Sequence, residues 1–287
     1  MSLQIRRLSY ALGAEIIGVD IGKPMDEPTF SLVHNAFLEH CIVLFRGQSL
    51  TREQHIAFSQ RFGELETIPA YRTRYGIPEY PELTLVSNQP RPGYVDKPYA
   101  GDRWHSDRSN TCIPAMASML RGIEVPRIGG DTMFANMYLA YETLSEGMKK
   151  LINGLECVHA GPEGKVDHST PERAAETRRL NTVAQPLVRR HPETGRKSLF
   201  LGEQKVKQIV GMTLEESKPL IQFLCSHGAR PQFVYRHVWQ RNDLIIWDNR
   251  CTNHIAVNDY DKSEVRHMER TTIKGTPSGY VYEGPQQ

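Results

Sequence analysis

Three residues that are far apart in the chain have the types and the spacing of metal ligands. His105 and Asp107 lie two apart in the segment Trp-His-Ser-Asp at 104–107. On an extended strand, residues two apart point to the same face, so an imidazole nitrogen and a carboxylate oxygen can face one point. His254 follows the apolar run at 244–247 and can add a second imidazole from a neighbouring strand. Two histidines and one carboxylate suit non-haem iron(II), because they leave three adjacent coordination positions open.

The His-x-Asp pattern alone does not define an enzyme class. A lone histidine is more often a hydrogen-bonded structural residue, and the chain contains eleven histidines. A zinc-dependent hydrolase or isomerase could use the same two-His, one-carboxylate set, but zinc would need a general base beside it. A ligand-binding barrel that has lost its metal is a third interpretation. The spacing of the triad leaves all three open.

The segments around these residues predict a mainly β protein with flanking helices. Helices are predicted over 28–40, 51–62, 138–153 and 213–227, either from amphipathic spacing or from a capping box. The two capping boxes pair Thr51 with Gln54 and Thr213 with Glu216. Short apolar runs predict strands over 16–21, 41–45, 83–86, 116–123, 131–136, 155–159, 186–190, 198–201, 232–239, 243–247 and 270–274. Many short strands separated by turns are typical of a sandwich or barrel, here with helices packed outside.

Two regions predict long active-site loops. Residues 64–102 are rich in Pro, Tyr, Arg and Gly, and residues 161–185 are polar and poor in large apolar side chains. Long loops inside a compact domain are usually functional or disordered. The sequence thus predicts one domain over residues 1–287 with loops beside its site.

Composition argues against several classes of protein. The 35 Lys and Arg nearly balance the 33 Asp and Glu, so no basic surface for nucleic acid or membrane is indicated. The five cysteines form no CxxC pair, which favours free thiols in a reducing compartment. No apolar run approaches the ~18 residues of a membrane span. A cytoplasmic protein is therefore expected. GxGxxG, Walker and GxSxG motifs are also missing from the sequence.

Several motifs in order resemble the taurine/2,4-dichlorophenoxyacetate dioxygenase (TauD/TfdA-like) family of Fe(II)/2-oxoglutarate enzymes. They cover nearly the whole chain: VLFRGQSL at 43–50, HIAFSQRFGELE at 55–66, WHSD at 104–107, GGDTMFANMYLAYETLS at 129–145, QFVYRH at 232–237, LIIWDNRCTNH at 244–254 and EVRHMERTT at 264–272. The resemblance implies a double-stranded β-helix (jelly-roll) core. It also implies an assembly of two or four subunits.

The resemblance also implies a role for each candidate residue. His105, Asp107 and His254 would hold Fe(II). Arg266 would clamp the distal carboxylate of 2-oxoglutarate, since a guanidinium offers two parallel donors, and Thr132 would add a hydroxyl donor. The implied reaction consumes O2, releases succinate and CO2, and hydroxylates a small anionic substrate.

The substrate would be held by residues near the same cavity. Arg270 matches the family's substrate-binding arginine, with a surface salt bridge to Glu264 or Glu269 as its alternative. Asn88, Ile68 and Tyr71 are predicted to line the pocket, and the tryptophans beside the ligands, at 104 and 247, to pack the barrel wall. Ile68 stands where taurine enzymes have a sulfonate-binding histidine. An aryloxyalkanoate, an alkyl sulfate ester or a larger sulfonate is therefore expected rather than taurine, and Arg108 is a further possible anion contact.

Overall fold

The computed structural model describes residues 3–67, 76–90, 101–161 and 170–284. Its strands, in chain order, are β1 Gln4–Arg7, β2 Ala14–Ile17, β3 Ile42–Phe45, β4 Gly76–Ile77, β5 Tyr80–Ser87, β6 Ala115–Glu124, β7 Thr132–Asn136, β8 Glu156–Ala160, β9 Thr182–Pro186, β10 Val188–Arg190, β11 Lys197–Leu199, β12 Val206–Ile209, β13 Val234–His237, β14 Leu244–Asp248, β15 Thr252–Ala256, β16 His267–Lys274 and β17 Tyr280–Val281. Its helices are α1 Glu27–His40, α2 Arg52–Gln60, α3 Met137–Glu142, α4 Glu146–Ile152, α5 Pro171–Leu180 and α6 Leu214–Gly228.

Two sheets enclose the inner core. The larger has the order β1-β2-β3-β14-β6-β16-β5-β4, and a smaller one has the order β13-β7-β15. Phe134 of the smaller sheet meets Trp247 of the larger with ring centroids 5.5 Å apart, and both join one cluster with Leu120 and Met268. The predicted mainly β architecture with helices outside is confirmed.

Helices α1 and α2 cover the outer face of the larger sheet. Val33 and Phe37 of α1 and Phe58 of α2 pack with apolar side chains of β3, β6 and β14. Asp26 begins α1 by accepting a hydrogen bond from the backbone N–H of Thr29. Both predicted capping boxes are present, at the starts of α2 and α6. Because α1 and α2 cover the outer face of the larger sheet, its inner face is the one that can line a site.

The predicted helix over 138–153 is instead two helices, α3 and α4. Asn136 caps the start of α3, and the hydroxyl of Thr143 donates back to the Leu139 carbonyl, 2.7 Å away. Ser145 then accepts from the backbone N–H of Met148 and begins α4. Hydroxyl side chains that bond to nearby backbone compete with helical hydrogen bonds, which explains the break.

The two predicted loop regions are shorter than expected where the structure describes them. Region 64–102 contains β4 and β5, while region 161–185 contains α5 and most of β9. In β9, Val183 and Ala184 are fully buried because β8 and β17 flank this strand. Among the described residues, no helix is long and apolar enough to cross a membrane.

Candidate metal centre

The structure brings the three predicted ligands together. His105 and His254 exchange backbone hydrogen bonds of 3.1 and 2.8 Å in an isolated antiparallel bridge, and their ring centroids lie 4.1 Å apart. One potential ligand atom from each of these residues and from Asp107 lies within 4.8 Å of the others. Asp107 begins a turn rather than continuing a strand. The expected strand geometry is therefore wrong at this residue, although its carboxylate still faces both imidazoles.

Both imidazoles are neutral near pH 7, as metal ligands must be. Burial lowers the pKa of His105 to about 4. Its Nδ1 lies 2.8 Å from the Arg103 carbonyl oxygen; Nδ1 therefore carries the proton, which leaves the Nε2 lone pair for a metal. Burial, and then the neighbouring His105, hold the pKa of His254 well below its ordinary value.

The Asp107 carboxylate is ionised, and each of its two oxygens accepts a hydrogen bond. Burial alone would raise its pKa, but the charge of Arg270, the two histidines in their protonated forms and the Ser118 hydroxyl together outweigh burial and lower it below the ordinary range. The Ser118 hydroxyl donates to Oδ2 at 2.6 Å, and Nη1 of Arg270 donates to Oδ1 at 3.1 Å. Three neutral or anionic donors in one buried cluster match the ligand set of a mononuclear non-haem metal.

Asn249 fixes which way the Ser118 proton points. Its Oδ1 accepts from the backbone N–H of Asp107 at 3.1 Å and from Nε1 of Trp247 at 3.0 Å. Both partners are donors only, so Nδ2 of Asn249 must face Ser118, 3.0 Å away. The serine oxygen accepts this bond and its own proton goes to Asp107. Ser118 is not anticipated from the sequence.

Strand register explains why Ser118 and Arg270 reach the same carboxylate. In the β6–β16 pair, Ser118 lies opposite Thr272 and Leu120 lies opposite Arg270. Residues two apart on a strand share a face. Ser118 and Arg270 therefore point from adjacent strands into the inner cavity.

Arg266 is a buried cation with spare hydrogen-bonding capacity. It is 2% exposed, and its Nε donates to the Gly130 carbonyl at 2.8 Å. Burial lowers its pKa to about 10. Within the described ranges its Nη1 is buried without a hydrogen-bond partner. A buried donor of this kind is costly unless a ligand satisfies it.

Thr132 lies beside this guanidinium on the face that also carries His254. Its strand β7 pairs with β15 so that Thr132 is opposite Ala256 and Phe134 is opposite His254. The Thr132 oxygen accepts from Nε1 of Trp239 at 3.0 Å and lies 3.5 Å from Nη2 of Arg266. With N–H donors on its oxygen, the hydroxyl proton remains to be donated.

The alternative ion pairs considered for Arg270 do not form. Glu269 pairs with Arg52 at 2.7 Å and Glu264 with Arg127 at 3.0 Å. Arg270 instead contacts Asp107, and its Nε is buried without a partner in the described part of the molecule.

The other predicted substrate contacts differ in outcome. Asn88 accepts from the backbone N–H of Arg266 at 2.9 Å and donates to the Glu264 carbonyl at 2.8 Å, which favours positioning of Arg266; substrate contact by Asn88 stays a prediction. Ile68 and Tyr71 lie outside the described residues. Arg108 is half-exposed and pairs with Glu66 at 3.2 Å.

Replacing Ser118 by alanine should lower metal affinity about 10-fold to 100-fold, the usual effect of removing a hydrogen bond to a metal ligand. The reason is that Asp107 loses the donor that orients Oδ2. Titration with Mn(II) measures the change. Ser59→Ala is the matched control, because Ser59 is equally buried but contacts Thr271 on the outer face. Equal Mn(II) affinities in the two variants would contradict a role for Ser118 at the metal.

A family model described as "Taurine catabolism dioxygenase TauD, TfdA family" matches residues 4–272. The chain belongs to the TauD/TfdA family. Among family relatives, it is 34% identical to an alkylsulfatase of Acinetobacter baylyi over 95% of this chain and 85% of the relative. It is 32% identical to the alpha-ketoglutarate-dependent 2,4-dichlorophenoxyacetate dioxygenase of Cupriavidus pinatubonensis, over 95% and 98% of the two chains.

A solved structure extends the TauD/TfdA similarity to the fold. AAD-2 in complex with Mn(II) and N-oxalylglycine matches with a TM-score of 0.81 and 34% identity, covering 97% of this chain and 99% of that one. The double-stranded β-helix core implied by the sequence resemblance is thereby confirmed.

Proposed function

We propose that this protein is an iron(II)- and 2-oxoglutarate-dependent dioxygenase that hydroxylates a small anionic organic molecule. The observation that carries the proposal is the pairing of two features. One is a buried cluster of two neutral imidazoles and an ionised carboxylate within 4.8 Å. The other is the buried Arg266, whose Nη1 has no hydrogen-bond partner among the described residues and can donate to an anion. A metal that chelates a keto acid and a cation that grips its distal carboxylate are the two requirements of this reaction class.

His105, Asp107 and His254 would hold the iron. The donor set leaves three positions for the co-substrate and O2. A zinc hydrolase is less well supported, since it would give no use to the buried Arg266 and Thr132. One relative is named an alpha-ketoglutarate-dependent 2,4-dichlorophenoxyacetate dioxygenase, and another is named an alkylsulfatase.

Arg266 and Thr132 would bind the distal carboxylate of 2-oxoglutarate. The guanidinium would donate through Nη1 and the threonine through its hydroxyl proton. N-oxalylglycine, found in the AAD-2 structure, is a dicarboxylate in which an amide N–H replaces one methylene of 2-oxoglutarate, which supports a co-substrate of this shape.

When bound, iron(II), 2-oxoglutarate and O2 supply oxidative decarboxylation to succinate and CO2, with hydroxylation of a substrate C–H. The chain's own residues bind, orient and exclude water. Asn249 and Ser118 hold the Asp107 carboxylate in one orientation. Apolar side chains of the inner core, among them Phe134 and Trp247, keep water from the reacting groups.

Arg270 would bind the anionic group of the substrate. It lies on the inner face, contacts Asp107, and keeps a buried Nε free in the described structure. The names of the relatives support an aryloxyalkanoate or an alkyl sulfate ester as the substrate class, with a sulfonate as a further member. Tyr71, Ile68 and Asn88 would contribute the rest of the pocket.

The remaining proposals concern the whole chain. We propose one catalytic domain over residues 1–287, acting in the cytoplasm as a homo-oligomer of two or four subunits. All five cysteines are free thiols, which supports a reducing compartment.

Decarboxylation of 2-oxoglutarate labelled at C1 tests the reaction class. With iron(II) and air, labelled CO2 and succinate should form slowly without substrate and faster with a matching anion. With zinc(II) neither should form. Hydrolysis of an anionic ester by the zinc form, with no CO2 from the iron form, would favour the hydrolase instead.

Replacing Arg270 by methionine should raise the KM for the anionic substrate by about 10-fold to 100-fold, the effect expected on losing a hydrogen bond to a charged group. At saturating iron(II), release of CO2 uncoupled from hydroxylation should largely persist, because the residues proposed to bind 2-oxoglutarate are untouched. Arg196→Met, which removes an arginine paired with Glu142 on the surface, should change neither quantity. An unchanged KM in the Arg270 variant would exclude Arg270 as the anchor.

A further inference from the structure

Trp239 is a buried tryptophan whose side-chain N–H contacts the proposed co-substrate site. It lies two residues after β13 and is 5% exposed. Its Nε1 donates to Oγ1 of Thr132 at 3.0 Å. Because Thr132 is one of the two residues proposed to bind the distal carboxylate of 2-oxoglutarate, Trp239 can act on that carboxylate through the threonine.

The contact decides which hydrogen bonds the Thr132 hydroxyl can make. A hydroxyl can donate one hydrogen bond and accept two, whereas an indole N–H and a guanidinium are donors only. Nη2 of Arg266 lies 3.5 Å from the same threonine oxygen. In both hydrogen bonds that described residues make to Oγ1, Thr132 is therefore the acceptor. Its proton is left for a ligand atom that accepts, such as a carboxylate oxygen.

The indole is the stronger of the two restraints on this hydroxyl. A distance of 3.5 Å between Arg266 and Thr132 is long for a hydrogen bond, whereas the 3.0 Å between Trp239 and Thr132 is ordinary. Without the indole, the hydroxyl could rotate to other orientations. A donor that is already oriented binds its ligand more tightly, because less freedom is lost on binding.

The Trp239 ring is held by neighbours on two sides. It meets the ring of His237 almost at a right angle, with the ring centroids 4.6 Å apart, and His237 lies opposite Thr132 in the β13–β7 pair. Gly122 of β6 leaves room for the indole, since a Cβ built there would lie 3.4 Å from Cε3 of Trp239 and 3.3 Å from the Gln240 carbonyl oxygen.

A buried carboxylate fixes the chain on both sides of Trp239. Oδ2 of the fully buried Asp243 accepts from the backbone N–H of Gln240 at 2.9 Å. The same oxygen lies 3.1 Å from Nε2 of His237 and accepts from Nη1 of Arg46, directly after β3, at 2.6 Å. The position of the indole is thus set by protein contacts and does not depend on a bound co-substrate.

We propose that Trp239 is a positioning residue for 2-oxoglutarate, because its N–H makes the Thr132 hydroxyl a donor to the distal carboxylate. This inference rests on the proposed function and adds a determinant of co-substrate choice. A keto acid that ends in a carboxylate gains the hydrogen bond from Thr132, whereas a keto acid that ends in a methyl group cannot. Trp239 therefore favours 2-oxoglutarate over apolar 2-oxo acids.

The test compares two keto acids of equal chain length. 2-Oxopentanoate has a methyl group where 2-oxoglutarate has its distal carboxylate. Calorimetric titration of each, without oxygen, into protein loaded with Mn(II) measures binding without turnover. Trp239→Phe should bind 2-oxoglutarate at least about 5-fold more weakly, the equivalent of one neutral hydrogen bond, and 2-oxopentanoate within about 2-fold of wild type.

A second variant preserves the size of the ring, because phenylalanine is smaller than the indole. Replacing Trp239 by 3-benzothienylalanine, in which a sulfur atom stands in place of the N–H, should give the same selective loss. Tyr138→Phe is the matched control: it also removes one polar atom from a buried aromatic ring, but that hydroxyl contacts Thr194, 3.1 Å away. The control should bind both keto acids as wild type does.

A double variant tests whether Trp239 acts through Thr132. Thr132→Val alone should weaken 2-oxoglutarate binding about 10-fold to 100-fold, since it removes a hydrogen bond to a charged group. Adding Trp239→Phe should weaken it no further. A further loss would overturn the proposed route through the threonine.

Equal losses for the two keto acids in both Trp239 variants would mean a structural role for the indole and would overturn the inference, as would no loss for either. These outcomes leave the proposed reaction intact. Failure of wild-type protein loaded with Mn(II) to bind 2-oxoglutarate would instead overturn the proposed function.

Discussion

Asp107→Ala should abolish dioxygenase turnover and weaken Mn(II) binding by more than roughly 100-fold. Removing only a supporting hydrogen bond from a metal ligand costs about 10-fold to 100-fold, and this variant removes the ligand itself. Asp107 is also the one anion among the three proposed ligands, so two neutral imidazoles would remain. Calorimetric titration with Mn(II) measures the loss.

The fold should survive this substitution. Asp107 lies in a turn, and the backbone bridge between His105 and His254 does not need its side chain. The loss does leave the Arg270 guanidinium without its carboxylate, so the double variant Asp107→Ala/Arg270→Met separates metal loss from an uncompensated charge. Asp102→Ala, an exposed carboxylate in the same segment, is the control. Unchanged Mn(II) affinity in Asp107→Ala would remove Asp107 from the site.

Arg266→Met should raise the KM for 2-oxoglutarate by about 30-fold to several thousand-fold. Truncating one partner of a buried, hydrogen-bonded charge pair costs roughly 2–5 kcal/mol, which converts to that range at about 1.4 kcal/mol per tenfold. Arg266→Lys should be intermediate, since an ammonium keeps the charge but cannot present two parallel donors. Initial rates of CO2 release at increasing 2-oxoglutarate give both values.

In the absence of 2-oxoglutarate, Arg266→Met should not lower the free energy of unfolding. Burial already lowers the pKa of Arg266 to about 10, and its Nη1 is unsatisfied within the described residues. A buried cation with no carboxylate partner in the described part of the chain opposes folding, so the free energy of unfolding of Arg266→Met should equal or exceed that of wild type. A large destabilisation, or an unchanged KM, would mean that Arg266 has a structural role instead.

The three proposed metal ligands can be predicted from the sequence because their residue types and spacing form a recognisable pattern. His105 and Asp107 are two apart, and His254 follows a strong apolar strand, so both the residue types and the neighbouring elements are visible. Capping boxes at Thr51 and Thr213 are equally local, which is why α2 and α6 were predicted.

The supporting residues leave no such pattern. Ser118 is one serine in an apolar run, and it reaches Asp107 only because β6 pairs with β14 and β16 in a particular register. Contacts of this kind come from tertiary structure, and the Arg270–Asp107 ion pair across 163 positions belongs with them.

Competing local hydrogen bonds explain why the single helix predicted over 138–153 is two helices in the structure. Apolar periodicity runs through 138–153, but Thr143 and Ser145 offer the backbone alternative hydrogen bonds and divide the segment.

The most direct test is a crystal structure of the protein grown without oxygen with Mn(II) and 2-oxoglutarate, with the metal located by its anomalous scattering. We expect one metal peak bonded to His105, Asp107 and His254, and the distal carboxylate of the co-substrate on Arg266 and Thr132. A metal peak away from these three side chains, or a co-substrate carboxylate that does not contact Arg266, would contradict the proposed site.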